Sequence, residues 1–194
     1  MSGITPSQTV GPYFAIALTP GDYDWAPTVG NNLVTPDASG ERIAIEGRVL
    51  DGDAKPVDDA MVDIWQADGA GRYAHPGDAR ANPNAAFKGF GRAGTDESGR
   101  YRFDTIKPGA VPGPNGSQAP HILLTVFARG MLRHFFTRLY FSDEAGNDAD
   151  PILRLVPPER RATLIARRED GGTHALYRFD IRLQGENETV FFDL

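Results

Sequence analysis

Between Ala60 and Arg129 the chain alternates apolar and polar residues in three short runs separated by Gly- and Pro-rich turns. Val62 and Ile64 flank Asp63. Tyr101 and Phe103 alternate with Arg100, Arg102 and Asp104. Ile122, Leu124 and Val126 share one face of the third run. A period of two places one set of side chains on the buried face of a sheet and the other outside it. Asp96-Glu97-Ser98-Gly99 carries the signature of a hairpin turn, with Gly99 free to take a positive φ. The same alternation recurs at Ile43, Ile45 and Val49, and at Tyr177, Phe179, Ile181 and Leu183, the clearest strand in the chain. Thr137–Phe141 reads as a short strand, 150–155 as an extended piece, and 189–192 as the closing segment. Residues 74–89 and 108–120 read as loops, the second too rich in Pro and Gly for regular structure. Pro157-Pro158-Glu159 predicts the start of one short helix, with Leu164 and Ile165 turned inward. The 22 Gly and 15 Pro are spread as punctuation between such runs, so the expected fold is all-β, an antiparallel β-sandwich over 42–194.

Residues 1–41 read differently. Pro6, Pro12, Pro20, Pro27 and Pro36 recur too often for a helix or a central strand. Yet Tyr13, Phe14, Ile16, Leu18, Tyr23 and Trp25 need cover. They pack either on the chain's own sandwich or on a second chain. The segment is therefore expected to be an irregular N-terminal arm.

Charge and composition exclude several classes of function. A net charge of −6 argues against general binding to nucleic acid or anionic membranes. With no Cys there are no disulfides or thiolate sites, and a reducing compartment is compatible. No apolar run approaches a membrane span, and MSGITPSQTVGPYF lacks a basic-then-apolar leader, so a cytoplasmic protein is expected. The acidic stretch 51–59 lacks the spacing of a calcium loop and reads as a solvated turn.

Few residues stand out for their chemistry when read locally. Tyr73 reads as a half-buried tyrosine, and His121, next to Pro120, as a hydrogen-bonded structural histidine. Neither has a Ser or Cys partner at a recognisable spacing. Arg129 follows an apolar strand. It is either a rim residue or a guanidinium suited to a planar carboxylate. Thr9-Val10-Gly11-Pro12-Tyr13 is a stiff turn that could press against a flat ligand.

WQADGAGRY (65–73), GFGRAGTDESGRYRFDTIKPG (89–109) and APHI (119–122) together resemble the core of the intradiol aromatic-ring dioxygenases. The resemblance continues through PSQTVGPYF, FARG, TRLYF and YRFDIRLQGENETVFFDL. It implies a sandwich fold and a ferric ion held by two tyrosinates and two imidazoles. The four ligand positions correspond here to Tyr73, Val111, His121 and Leu123, so two are apolar and no iron site is expected within this chain. The resemblance is to a branch in which two related subunits share an active site at their interface. The β subunit keeps Fe(III), and this chain corresponds to the α subunit, with no catalytic residue of its own and no expected activity alone. The implied reaction is intradiol cleavage of protocatechuate by O₂ to 3-carboxy-cis,cis-muconate. Thr9, Gly11, Pro12 and Tyr13 are then the α-side pocket wall, and Arg129 is the residue aimed at the substrate carboxylate. A substrate-facing arginine of the family is replaced at or near Gln118. The alternative is a non-catalytic binding or scaffold sandwich, which would need neither the Thr9–Tyr13 turn nor Arg129. A self-sufficient iron enzyme is opposed by Val111 and Leu123.

Overall fold

The alternating runs become strands in the computed structural model, which describes residues 18–20, 26–80, 86–170 and 172–193. In chain order these are β1 (Arg42–Leu50), β2 (Met61–Trp65), β3 (Phe90–Gly94), β4 (Arg100–Ile106), β5 (Val111–Gly113) and β6 (Gly116–Gln118). They are followed by β7 (His121–Phe127), β8 (Phe135–Phe141), β9 (Ile165–Glu169), β10 (Ala175–Arg178) and β11 (Ile181–Arg182). One layer has β4, β1, β10 and β9; the other has β3, β2, β7 and β8. β9 joins them at one edge, pairing antiparallel with β10 and parallel with β8. The expected β-sandwich is the fold. Most pairings are antiparallel, but β1 also runs parallel to β10 and β11.

The core lies between the layers. Ile43 and Ile45 of β1, Phe103 of β4, Val62 and Ile64 of β2, Ile122, Leu124 and Val126 of β7, and Leu139 and Phe141 of β8 form one buried cluster. Each such side chain contributes about 1.5–3 kcal/mol when fully buried. A second, smaller cluster covers the outer face of β8, where Tyr140 packs with Ala119, Leu153, Val156 and Leu164.

Several local expectations need correction. The Asp96–Gly99 turn forms, with Gly99 at φ 71° and its N–H donating to the Asp96 carbonyl. It does not close a hairpin, because β3 pairs with β2 and β4 pairs with β1. The end of the arm lies between them. Arg92 N–H donates to Gly30 O, Leu33 N–H donates to Asp104 O, and Asp104 N–H donates to Asn31 O. Leu33 is buried in the core. The run 177–183 is split into β10 and β11 at Phe179-Asp180. There the Tyr101 hydroxyl donates to Phe179 O at 2.5 Å, and Asp180 Oδ1 accepts from Arg48 N–H. Gly47 permits this crossing, since a Cβ there would sit 1.7 Å from Phe179 O.

Residues 108–120 are not irregular throughout. β5 and β6 form a two-stranded ribbon in which Val111 faces Gln118, and Gly116 takes φ 120° at its tip. Residues 150–155 are not extended. The Asp150 carboxylate accepts from the N–H groups of Ile152 and Leu153 and draws the chain into a 3₁₀ turn at Leu153–Leu155. The helix expected after Pro157 is a 3₁₀ helix, Pro158–Leu164, with Pro158 in its first turn and Leu164 buried. Ile165 instead begins β9. Another 3₁₀ segment spans Ala145–Ala149. No described helix is long and apolar enough to cross a membrane.

Candidate functional site

Successive side chains of β7 point to opposite faces of its sheet. Ile122, Leu124 and Val126 enter the core, which leaves His121, Leu123, Thr125 and Phe127 on the outer face. Cross-strand register then decides what meets them. His121 lies opposite Tyr140 of β8, and Leu123 lies between Trp65 of β2 and Arg138 of β8. Tyr73 stacks on Trp65, with ring centroids 5.9 Å apart and planes 13° from parallel. The loop before Tyr73 is pressed against the loop before Val111. Gly109 N–H donates to Asp68 O at 2.9 Å, and a Cβ on Gly71 would come within 2.0 Å of Ala110 O. Val111 in turn faces Gln118, whose Oε1 accepts from Arg138 Nη1 at 2.6 Å. The fold thus brings Tyr73, Val111, His121 and Leu123 around one place.

The chemistry of that place does not suit a ferric ion. Val111 and Leu123 offer no donor atom. His121 is 6% exposed, and its Nδ1–H donates to the Ala119 carbonyl at 2.7 Å. Burial, reinforced by the nearby Arg138 charge, pushes its pKa down to about 4, so the ring is neutral at pH 7. Burial raises the Tyr73 phenol; Arg138 pulls it partly back. Burial likewise holds the Tyr140 phenol well above its ordinary range. The Tyr140 hydroxyl donates to Asp150 Oδ1 at 3.1 Å. Asp150 is fully buried and also accepts from Ala119 N–H at 2.8 Å. Among the described residues, no three of His, Cys, Asp or Glu are grouped to hold a metal. Beside Tyr73 opens a cleft of about 690 Å³ lined by Trp65, His75, Asp78, Arg80 and Pro112.

Of the sequence-predicted site residues, Arg129 falls in a different region. Arg129 lies beyond the far end of β7, and the seven residues of that strand alone span roughly 20 Å. Its side chain is 76% exposed. The guanidinium reaches Asp59 Oδ2 at 3.1 Å and Asp58 Oδ1 at 3.4 Å. Exposed pairs of this kind are weak and exchangeable. Thr9, Gly11, Pro12 and Tyr13 lie outside the described residues, so the structure does not relate them to Arg129. Arg138 and Asp150, central to the buried end, were not singled out from the sequence. The signal was faint: Arg138 is a charged residue at an outward position of TRLYF, and only the register sets it beside Leu123.

Acidic turn 51–59 is built on its own carboxylates. Asp51 Oδ1 accepts from the N–H groups of Asp53 and Lys55.

A family model described as "Dioxygenase" matches residues 9–185. The chain is 49% identical to the protocatechuate 3,4-dioxygenase alpha chain of Burkholderia cepacia over 196 aligned positions, covering 98% of this chain and 97% of that one. It is 41% identical to the beta chain of the same organism, covering 91% and 77%. Among solved structures, the dioxygenase domain of a dioxygenase–carbohydrate-binding fusion from Streptomyces sp. SirexAA-E superposes with a TM-score of 0.63. It is 28% identical, covering 93% of this chain and 98% of that domain.

Proposed function

The chain belongs to the intradiol dioxygenase family, and from that premise we propose that it is the α, non-iron-binding subunit of a protocatechuate 3,4-dioxygenase. The observation that carries this reading is the pair of donorless residues, Val111 of β5 and Leu123 of β7, where the four ligand positions converge. A chain so altered works in ring cleavage only beside a homologue that kept its donors. The match to both chain types of one such enzyme, stronger for the alpha chain, agrees with it.

In this reading Fe(III) would be held by the partner β subunit and would supply the activation of the catechol toward O₂. Both oxygen atoms enter between the two hydroxyl-bearing carbons, and the product is 3-carboxy-cis,cis-muconate. This chain's residues bind and enclose. Arg129 offers a planar guanidinium to the substrate carboxylate in place of Asp58 and Asp59. Thr9, Gly11, Pro12 and Tyr13 wall the pocket and exclude water. The apolar arm of residues 1–41 covers part of the β chain, and the assembly is cytoplasmic.

The exposed ion pairs of Arg129 favour a second reading, a scaffold that no longer touches substrate. Co-expression with an iron-bearing homologous chain separates the two. The chain alone is expected to be colourless, iron-free and inactive. The pair should contain one iron per αβ unit and open protocatechuate. Full ring-opening activity of the β chain without this one would reject the catalytic-subunit reading. Removal of residues 1–25 should leave a folded sandwich that no longer assembles; undiminished assembly would exclude the arm as an interface.

A further inference from the structure

The disagreement between the family's metal and this chain's donors has a second cause besides the lost ligands. We infer that the guanidinium of Arg138 is the resident cation of the place where Tyr73, Val111, His121 and Leu123 converge, and that it bars a metal ion from that place by its charge.

The register supplies the position. Arg138 is the β8 residue directly opposite Leu123, on the outer face that Tyr140 and His121 share one step further along the two strands. Its Nη1 donates to Gln118 Oε1 at 2.6 Å, so the guanidinium reaches across to the β5–β6 ribbon that carries Val111. A longer contact, 3.4 Å, links it to the Tyr140 hydroxyl. Both partners are neutral. Among the described residues, no carboxylate lies within ion-pair range of Arg138, whereas seventeen other ion pairs are formed there. The positive charge is half-buried and uncompensated by contact. It is also felt by the two retained ligand-type residues, disfavouring a second positive charge on His121 and favouring negative charge at Tyr73.

An arginine suits this role. It stays charged at any physiological pH, and its planar fork bonds several acceptors from one position. A metal cation entering the same place would face like charge in a partly desolvated setting, where such repulsion is screened far less than in water. Restoring the missing donors therefore does not by itself restore metal binding. Arg138 also latches the β5–β6 ribbon to β8.

The test uses the full chain in four forms: unmodified; with Val111→Tyr and Leu123→His; and with those two changes plus Arg138→Gln or plus Arg138→Lys. Each is titrated with Fe(III) supplied as a citrate complex. Bound iron per chain and the visible tyrosinate-to-iron absorption are recorded. The Arg138→Gln form should bind iron more tightly than the two-residue form by roughly a hundredfold or more. The Arg138→Lys form, which keeps the charge, should stay poor in iron. Equal affinity with and without Arg138, failure of the Gln form to bind, or Lys behaving as Gln would each overturn the inference.

If the ligand-restored chains do not fold, Arg138→Ala alone reads the premise of the claim, that the guanidinium is the resident cation of this place. Millimolar methylguanidinium should raise its melting temperature and leave that of the unmodified chain unchanged. Equal effects on the two would overturn it.

Discussion

The two ends of β7 differ in every property that decides what a site can do. At the His121 end His121 and Tyr140 are buried, the histidine is neutral, and polar groups bond one another through Arg138, Gln118, Tyr140 and Asp150. At the Arg129 end the arginine side chain stands 76% exposed, and its guanidinium is shared between two surface carboxylates. The first end has the shape of a metal pocket without its donors. The second offers a charge outward. On the function proposed above, the contribution of this chain lies at its surface, where a partner would complete the site.

That contrast can be broken in graded ways. The largest loss of stability is expected at Asp150, whose buried carboxylate accepts from Ala119, Ile152 and Leu153 N–H groups and from the Tyr140 hydroxyl. Asp150→Asn turns an amide donor toward some of these donors. It should cost about 3–4 kcal/mol in urea unfolding, since bonds to a charged acceptor are each worth about 1.5–3 kcal/mol. A loss below about 1 kcal/mol would mean the buried end is not held by this network.

Next comes the pH response of His121. Its folded pKa, about 4, lies below the ordinary 6.5, so the unfolded chain takes up a proton first as pH falls. The stabilisation is whole above pH 6.5 and is lost progressively toward pH 4. The interval corresponds to about 3 kcal/mol. Unfolding curves at pH 7.5 and 4.5 should show that decline in the natural chain and a smaller one in His121→Gln. Identical declines would place the acid sensitivity elsewhere.

The smallest effect belongs to the open end. Neutralising Asp58 and Asp59 together, both to Asn, removes two exposed ion pairs and should change stability by less than about 1 kcal/mol. A larger loss would make Arg129 a structural residue and weaken the contrast.

The sandwich was legible in the sequence because period-two alternation survives in β1, β2, β4 and β7, and each buries the face the pattern marks. What was not legible depends on partners distant in the chain. Phe179-Asp180 breaks the apparent strand 177–183 because Tyr101 and Arg48 claim its polar groups. Residues 151–155 curl because the side chain of Asp150 outcompetes extended pairing. The site divides in the same way. Loss of two donors at Val111 and Leu123 can be read from residue type. The guanidinium that fills their place cannot, because nothing in TRLYF distinguishes an outward arginine in water from one opposite Leu123 until β7 and β8 are in register.

The central claim is that this chain acts at its surface, through Arg129, on a substrate held by a partner. The most direct measurement is kcat/KM for protocatechuate and for catechol, which lacks the carboxylate, in the αβ enzyme with and without Arg129→Ala. A lost charge-assisted hydrogen bond, about 1.5–3 kcal/mol, corresponds to a fall of roughly ten- to a hundredfold for protocatechuate. Catechol turnover should change little. Equal losses on the two substrates would contradict the account and return Arg129 to the rim of the sandwich.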